Sequence, residues 1–516
     1  MKKLLMMIGA AAIAMVAMPS WAANPVFETK NDIDTAKIYT FGSPVESGET
    51  RKSNIGSASS ADNNRFAFRA GTVNVKAGGY VRVSGYDSHS QWGNEAYGNW
   101  CGCNGDAATL NVMGGTFWVD KGSYDLSTYP GVGRLRIGVN DAASGRTGVA
   151  RVNVSAGLFR VDNILMCGAS IYNANTSQNA PVEMNISGGT AVVETFWLGA
   201  QTGSVSSTAE FNLTGGELQV NSFVFQPYHS QTFNWGSGTI VAGKADVFTS
   251  ANLAAGATRT VNVTGAPAVF DTGNFAQTIP ADITSGSGTL KLTGGNTVTL
   301  SAAPSFSLWL DGTTLAPAGG ALSVPASGTF TFSGSATVSG SLTLGSGSSI
   351  VCNVDAVNPG YPATLTASEG FSIPEGAGSV LALLTVSGAG AAACEASLSA
   401  DGKTITVLKS GGSNYVWNGG AAANWGDADA WINGGANATW VDNNHAIFST
   451  ANATATLAAD VEAYTLAFNA DATVSGSSTL TVPTISVASG VSATISAPTA
   501  RALEKTGAGT DRKSVV

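Results

Sequence analysis

Five cysteines, three histidines and a thin scatter of charge are the raw material for chemistry in this 516-residue chain. Cys101 and Cys103 stand one residue apart, as a metal-binding pair would, but a zinc site needs about four converging ligands. No second pair accompanies them, and His89, His229 and His445 are far apart in sequence. Cys101 and Cys167 each precede the glycine of a short strand motif, so they are expected at equivalent places in different structural units, with one unit, carrying Ile137, between them. Two spacings of about 4.8 Å exceed the roughly 7 Å limit on the Cα separation of a disulfide. Burial as small apolar side chains is the simpler expectation, and five cysteines leave an odd thiol.

Arg134, Arg136, Arg146, Arg151 and Arg160 crowd one stretch of a charge-poor chain, with Asp120, Asp125, Asp141 and Asp162 nearby. In RLRI, Arg134 and Arg136 alternate onto one face, where they could line a groove for an anionic polysaccharide. The plainer reading is a solvated face with cross-unit ion pairs, each worth little. Trp417, Trp425, Trp431 and Trp440 fall within 24 residues; exposed, they could stack on sugars, and buried, they would fill a core. The candidate glycan contacts are therefore Arg134, Arg136, Trp425 and Trp431. No G-x-S-x-G elbow, H-E-x-x-H motif, Walker-type loop or paired-glutamate spacing occurs. No catalytic residue, metal site or cofactor is assigned, and no enzymatic activity is expected.

The elements that position these residues are repeats. Six segments share an alternating strand with an Asn, a Gly four residues later, and a second alternating strand: TVNVKAGGYVRV from Thr72, TLNVMGGTFWV from Thr109, RVNVSAGLFRV from Arg151, EMNISGGTAVV from Glu183, EFNLTGGELQV from Glu210 and TFNWGSGTIVA from Thr232. The shared positions are Asn74, Asn111, Asn153, Asn185, Asn212 and Asn234, with Gly78, Gly115, Gly157, Gly189, Gly216 and Gly238. Short apolar strands ending at Gly102, Gly138, Gly168 and Gly199 lie between the copies, 9 to 17 residues before the next Asn. Each unit is then strand, variable loop, strand, Gly turn, strand. This suits one coil of a parallel β-solenoid (β-helix) with its insertions at one corner. Gly permits the tight corner, alternation turns one set of side chains inward, and stacked Asn residues can form a ladder of amide hydrogen bonds along the axis. Those Asn and Gly residues are read as scaffold.

Composition agrees with an all-β chain: 64 Gly, 44% hydrophobic and 11% charged residues, where soluble domains usually carry roughly 25% charge. Val, Thr, Ile and Asn recur in place of helix-forming runs, and the hydrophobic content is too high for disorder. A net charge of −9 with thinly spread basic residues excludes an electrostatic nucleic-acid footprint.

Along the chain, residues 1–22 read as a signal peptide: Lys2 and Lys3, an uncharged run from Leu4 to Met18, Pro19, and small residues Ser20 and Ala22 before a junction at Ala23. About 15 apolar residues fall short of the roughly 20 a membrane helix needs, and no comparable run follows. Residues 23–250 carry the Asn/Gly repeats. Residues 251–410 are Gly/Ser/Thr-rich alternating strands, either continued solenoid or a β-sandwich-like insertion. Residues 411–510 form a Trp-rich module.

That module, YVWNGGAAANWGDADAWINGGANATWVDNNHAIF from Tyr415, resembles the W-x-G-G … N-W … W … F opening of bacterial autotransporter-associated β-strand repeat proteins. ALEKTGAGT from Ala502 resembles the start of that family's repeat, and GSGTLKLTGGNTVTL from Gly286 resembles it more loosely. The resemblance implies a solenoid passenger exported through the inner membrane to the outer-membrane surface or the extracellular space by export machinery; it names no ligand. Residues 511–516, DRKSVV, match one reading frame of a widely used sequencing adapter and are expected to be an assembly artefact replacing further repeats.

Three functions are thus in play. The first is a structural or adhesive passenger that meets surface glycans or other cells through loops such as Tyr86 to Trp100 and Gly168 to Pro181. The second is a β-helix polysaccharide lyase or hydrolase, which requires the Arg/Asp set to converge. The third is a carbohydrate-binding protein, which requires exposed Trp425 and Trp431.

Overall fold

The computed structural model describes residues 30–33, 38–41, 54–55, 67–68, 71–84, 99–103, 107–121, 133–139, 148–168, 181–201 and 207–513, the last stretch without 266, 284, 355–361, 389–390, 392–393, 410–412, 443, 483, 501–503 and 507–509. The proposed signal peptide, both named loops apart from Asn99, Trp100, Gly168 and Pro181, and His89, Asp125, Asp141 and Arg146 lie outside these residues.

The chain is a parallel β-solenoid. The strand Ala150–Cys167 shows how sequence makes a coil: Ala150, Val152 and Val154 point inward, then Phe159 and Val161, then Leu165 and Cys167. Strict alternation fails at Ser155–Ala156–Gly157, which are exposed, and the pairing register shifts between Val161 and Ile164. Each irregularity turns the chain, so a run that would be one flat strand gives three short faces around a common interior. Val182–Leu198 and Thr208–Phe225 repeat the pattern, each pairing in parallel with the strand before it, with Ala150 opposite Val182 and Val182 opposite Ala209.

One inward row runs in register from Val81 through Phe117, Phe159, Ala191, Leu218, Ile240, Phe270, Leu292, Leu310, Phe332 and Cys352 to Val386. Like thus sits on like. Phe117 and Phe159 stack with ring centroids 5.6 Å apart, and Phe196, Phe211, Phe223, Phe233 and Trp235 continue an aromatic interior. Such pairs add about 0.5–1.5 kcal/mol beyond the area they bury. A single apolar core extends from Val73 to Val407. The stretch after residue 250 therefore continues the solenoid and is not a sandwich-like insertion.

Antiparallel pairing then closes this stack. Thr404–Lys409 runs antiparallel to Ala363–Ala367 and to Cys394–Leu398, which covers a parallel edge that would otherwise offer free backbone groups. A second core holds Tyr415 to Ala497. It opens with an antiparallel hairpin, Asn414–Trp417 against Trp431–Asn433, and proceeds in parallel coils in which Phe448 faces Phe468 and Phe468 faces Val487. Glu504–Thr506 and Thr510–Lys513 add a further coil on Thr484–Val487 and Ser492–Ile495.

The Asn ladder forms as expected. Asn111 Nδ2 donates to Asn74 Oδ1 at 2.7 Å, Asn153 to Asn111 at 2.7 Å, Asn185 to Asn153 at 2.8 Å, Asn212 to Asn185 at 2.8 Å and Asn234 to Asn212 at 2.7 Å. Asn262 adds a rung, donating to Asn234 at 2.9 Å. The row lies on the outer side of the sheet, since its neighbours Val112, Val154, Ile186 and Leu213 are the buried ones.

The glycines divide into two kinds. Gly157 takes φ 81°, and a Cβ there would also stand 2.2 Å from the Gly115 carbonyl oxygen. Gly115 and Gly238 are not left-handed. In the Asn111 coil Gly114 makes the turn at φ 105°, while Gly115 leaves room for the Lys76 carbonyl, 2.3 Å from where a Cβ would sit. Gly238 makes room for the Leu213 side chain. At these two positions glycine is required for close approach of coils rather than for the corner.

Candidate binding surface

The four candidate glycan contacts are not on the surface. Trp425 and Trp431 are 1% and 0% exposed, and their rings lie 4.7 Å apart among Trp417, Trp440 and Phe448. Trp431 Nε1 donates to the Trp425 carbonyl at 2.7 Å. They fill the first coil of the second core, where a new stack has no preceding coil to pack on. Arg134 and Arg136 are 9% and 3% exposed. Leu135 and Ile137 point inward, which turns both arginines outward as alternation requires, yet they are covered there; Arg136 stands in register between Trp100 and Met166.

Of the acids and arginines read from the sequence, Asp120, Arg160 and Asp162 gather with Arg82 around Trp118, whereas Arg151 is taken up elsewhere. Arg151 pairs with Glu183 of the next coil through Nε to Oε2 at 2.5 Å and Nη2 to Oε1 at 2.9 Å, and this hydrogen bonding holds the Glu183 carboxyl below its ordinary pKa. Arg160 pairs with Asp162 at 2.5 Å. The described residues contain no group of three His, Cys, Asp or Glu side chains placed to hold a metal ion. Cys101 and Cys167 face Ile137 from either side, one coil each, and are fully buried. Burial pushes the Cys101 thiol up to about 12 and the Cys167 thiol upward as well.

Sequence reasoning named Asp120, Arg160 and Asp162 but missed Arg82 and Trp118, which complete an outward cluster with them. Trp118 is held between two guanidinium groups of the adjoining coils, Arg82 at 5.0 Å and Arg160 at 5.1 Å from the ring centre. Register explains this, because Arg82, Trp118 and Arg160 are direct neighbours on one outward row. Asp120, two residues beyond Trp118, accepts from Arg82 Nε at 2.9 Å, and Asp162 accepts from Trp118 Nε1 at 2.9 Å. The same grouping recurs farther along. Lys291 sits 4.3 Å from the centre of Trp309, its neighbour in the next coil, and 2.8 Å from Asp311, two residues beyond that Trp. Trp309 Nε1 donates to Ser333 Oγ, which donates to Asp311 Oδ1, both at 2.8 Å. W-x-D on an outward strand, with a cation one coil earlier, is the signal that would have found both.

Each cluster balances its charges locally, with Arg82 against Asp120, Arg160 against Asp162 and Lys291 against Asp311. The attraction for a free anion is therefore small, and what the clusters present outward is mainly the edges of rings and guanidinium groups. A cleft lined by Ser305, Phe306, Leu322, Pro325 and Phe330 has a volume of about 90 Å³, well short of the roughly 300 Å³ at which small-molecule sites begin. Among the described residues no helix is long and apolar enough to cross a membrane. No protein-family model matches this chain, and no curated protein matches it in sequence.

Proposed function

We propose that this protein is an exported structural and adhesive passenger, displayed at the cell surface or secreted, that acts as a stiff spacer carrying contacts along its length and has no catalytic activity. What supports the reading is the unbroken inward row from Val81 to Val386. It takes eleven coil steps, which at about 4.8 Å each spans roughly 50 Å. A rod whose every coil packs only on its neighbours gives length rather than a pocket. The outward W-x-D clusters at Trp118 and Trp309 lie on separate coils of that rod, so weak contacts to a repetitive glycan or to another cell surface would add through multivalency. The likeness of the Trp-rich module to autotransporter-associated repeats agrees with this reading.

The test is made on intact cells expressing the full chain. The mature protein is expected to begin at Ala23 and to be labelled by a membrane-impermeant reagent or digested by external protease. Retention of Met1 to Ala22 on a protein found only inside the cell would overturn the proposal.

A further inference from the structure

Four cysteines have described surroundings, and two of them are kept apart by the fold. Cys101 and Cys167 are separated by the coil that carries Ile137. Cys352 and Cys394 are placed differently. Cys352 is the penultimate member of the inward row, between Phe332 and Val386, and is fully buried. Cys394 opens the strand Cys394–Leu398 of the closing hairpin. In that hairpin Cys394 faces Lys409, Ala396 faces Val407 and Leu398 faces Ile405. Ile405 and Val407 are fully buried, and alternation puts Cys394 on the same side as these residues. Cys394 is partly buried against the core that contains Cys352. Burial, with a smaller contribution from the charge of Cys394, pushes the Cys352 thiol up to about 12.

We propose that Cys352 and Cys394 are the protein's disulfide-forming pair, and that their bond fastens the closing hairpin to the last parallel coils. The partner reagent is a disulfide. Cys394, the more accessible thiol, attacks as thiolate one sulfur of a donor such as oxidised glutathione, forming a mixed disulfide and releasing one thiol. Cys352 then gives up its proton and attacks Cys394 Sγ, releasing the second thiol. Two protein thiols are oxidised, one donor disulfide is reduced, and two protons are exchanged to the released thiolates. The end of a solenoid is where the bond acts most usefully, because a terminal coil has a neighbour on one side only. In the cell the bond rests on the exported reading, since an oxidising compartment must supply the donor; the test does not.

Purified full chain is oxidised with glutathione disulfide, blocked with N-ethylmaleimide and cleaved after glutamate. Glu369 and Glu375 lie between the two cysteines, so they fall on separate peptides, whereas trypsin finds no site between them. The expected result is one reducible cross-link joining those peptides, with the thiol count in denaturant falling from five by two. On reduction, amide exchange should quicken across residues 394–409 and stay unchanged around Cys101. In Cys394→Ser the exchange of that hairpin should no longer depend on redox state. Maleimide on both cysteines, glutathione held at Cys394 without transfer to Cys352, or a cross-link to another cysteine would overturn the proposal, and none of these outcomes bears on export.

Discussion

Replacing Asn153 by alanine removes two rungs of the outer ladder at once, the bond it donates to Asn111 and the one it accepts from Asn185. Replacing Asn262 removes the single bond to Asn234. A typical hydrogen bond contributes about 0.5–1.5 kcal/mol net, and these amides are half-buried, so water partly replaces what is lost. The expected cost is about 1–2 kcal/mol for Asn153→Ala and about half of that for Asn262→Ala, by the same principle. Asn153→Asp should cost at least as much as alanine: it still accepts from Asn185 but offers an oxygen to the Asn111 oxygen. Urea titration of the full chain would give the totals. Amide exchange would locate them, since in a stack of coils the damage is confined to neighbours. Equal costs for Asn153→Ala and Asn262→Ala, or no cost for either, would refute the view that the ladder stabilises rung by rung.

Three further outcomes are expected. Gly157→Ala combines a left-handed φ with a Cβ 2.2 Å from a backbone oxygen, whereas Gly312 is left-handed with open space around it; the first should destabilise by several kcal/mol and the second by about 1 kcal/mol, measured by thermal unfolding. Trp431→Ala should cost about 3–5 kcal/mol and loosen exchange protection in the second core, where Trp425 and Trp431 are enclosed. His229 is buried, and that burial lowers its pKa from 6.5 to about 4. The unfolded chain therefore binds the extra proton between these values, so its contribution is complete above pH 6.5 and is lost as pH falls toward 4, by at most about 3 kcal/mol. His229→Asn, which also tolerates the local φ of 70°, should flatten that part of the stability–pH curve relative to wild type; parallel curves would refute the assignment.

The fold was legible where side-chain period and glycine spacing coincide. Alternating strands with Asn and Gly at a fixed offset can stack in one way that keeps their apolar face inside, and they do. Asn262 escaped notice because its copy has Gly265 three residues on, not four, yet backbone register brings it opposite Asn234 all the same. The binding surface was less legible. Alternation correctly turns Arg134 and Arg136 outward from Leu135 and Ile137, but whether an outward position is bare depends on what lies over it, and period alone carries no such information. For the tryptophans the determining fact was position in the stack: the first coil of a new core must bring its own large side chains. Arg82, Trp118 and Arg160 lie far apart along the chain and meet only through register, which a reading by sequence neighbourhood does not see.

Every bond in the Asn row runs the same way, from an amide nitrogen to the amide oxygen of the coil on its amino-terminal side. Such a row does not count its members. If residues 182–208 were excised, Ala150 would meet Ala209, Asn153 would meet Asn212 in the same sense, and Arg151 would meet Glu210 in place of Glu183, as the present registers dictate. Duplication of the same stretch would stack it on itself, with Val182 on Val182 and Asn185 on Asn185 continuing the inner row and the ladder, at the cost of setting Glu183 against Glu183. A gene built from such units can lengthen or shorten its product by whole coils through simple recombination, with every intermediate already a folded rod, so that reach away from an anchoring point becomes a heritable trait that varies in steps of one coil.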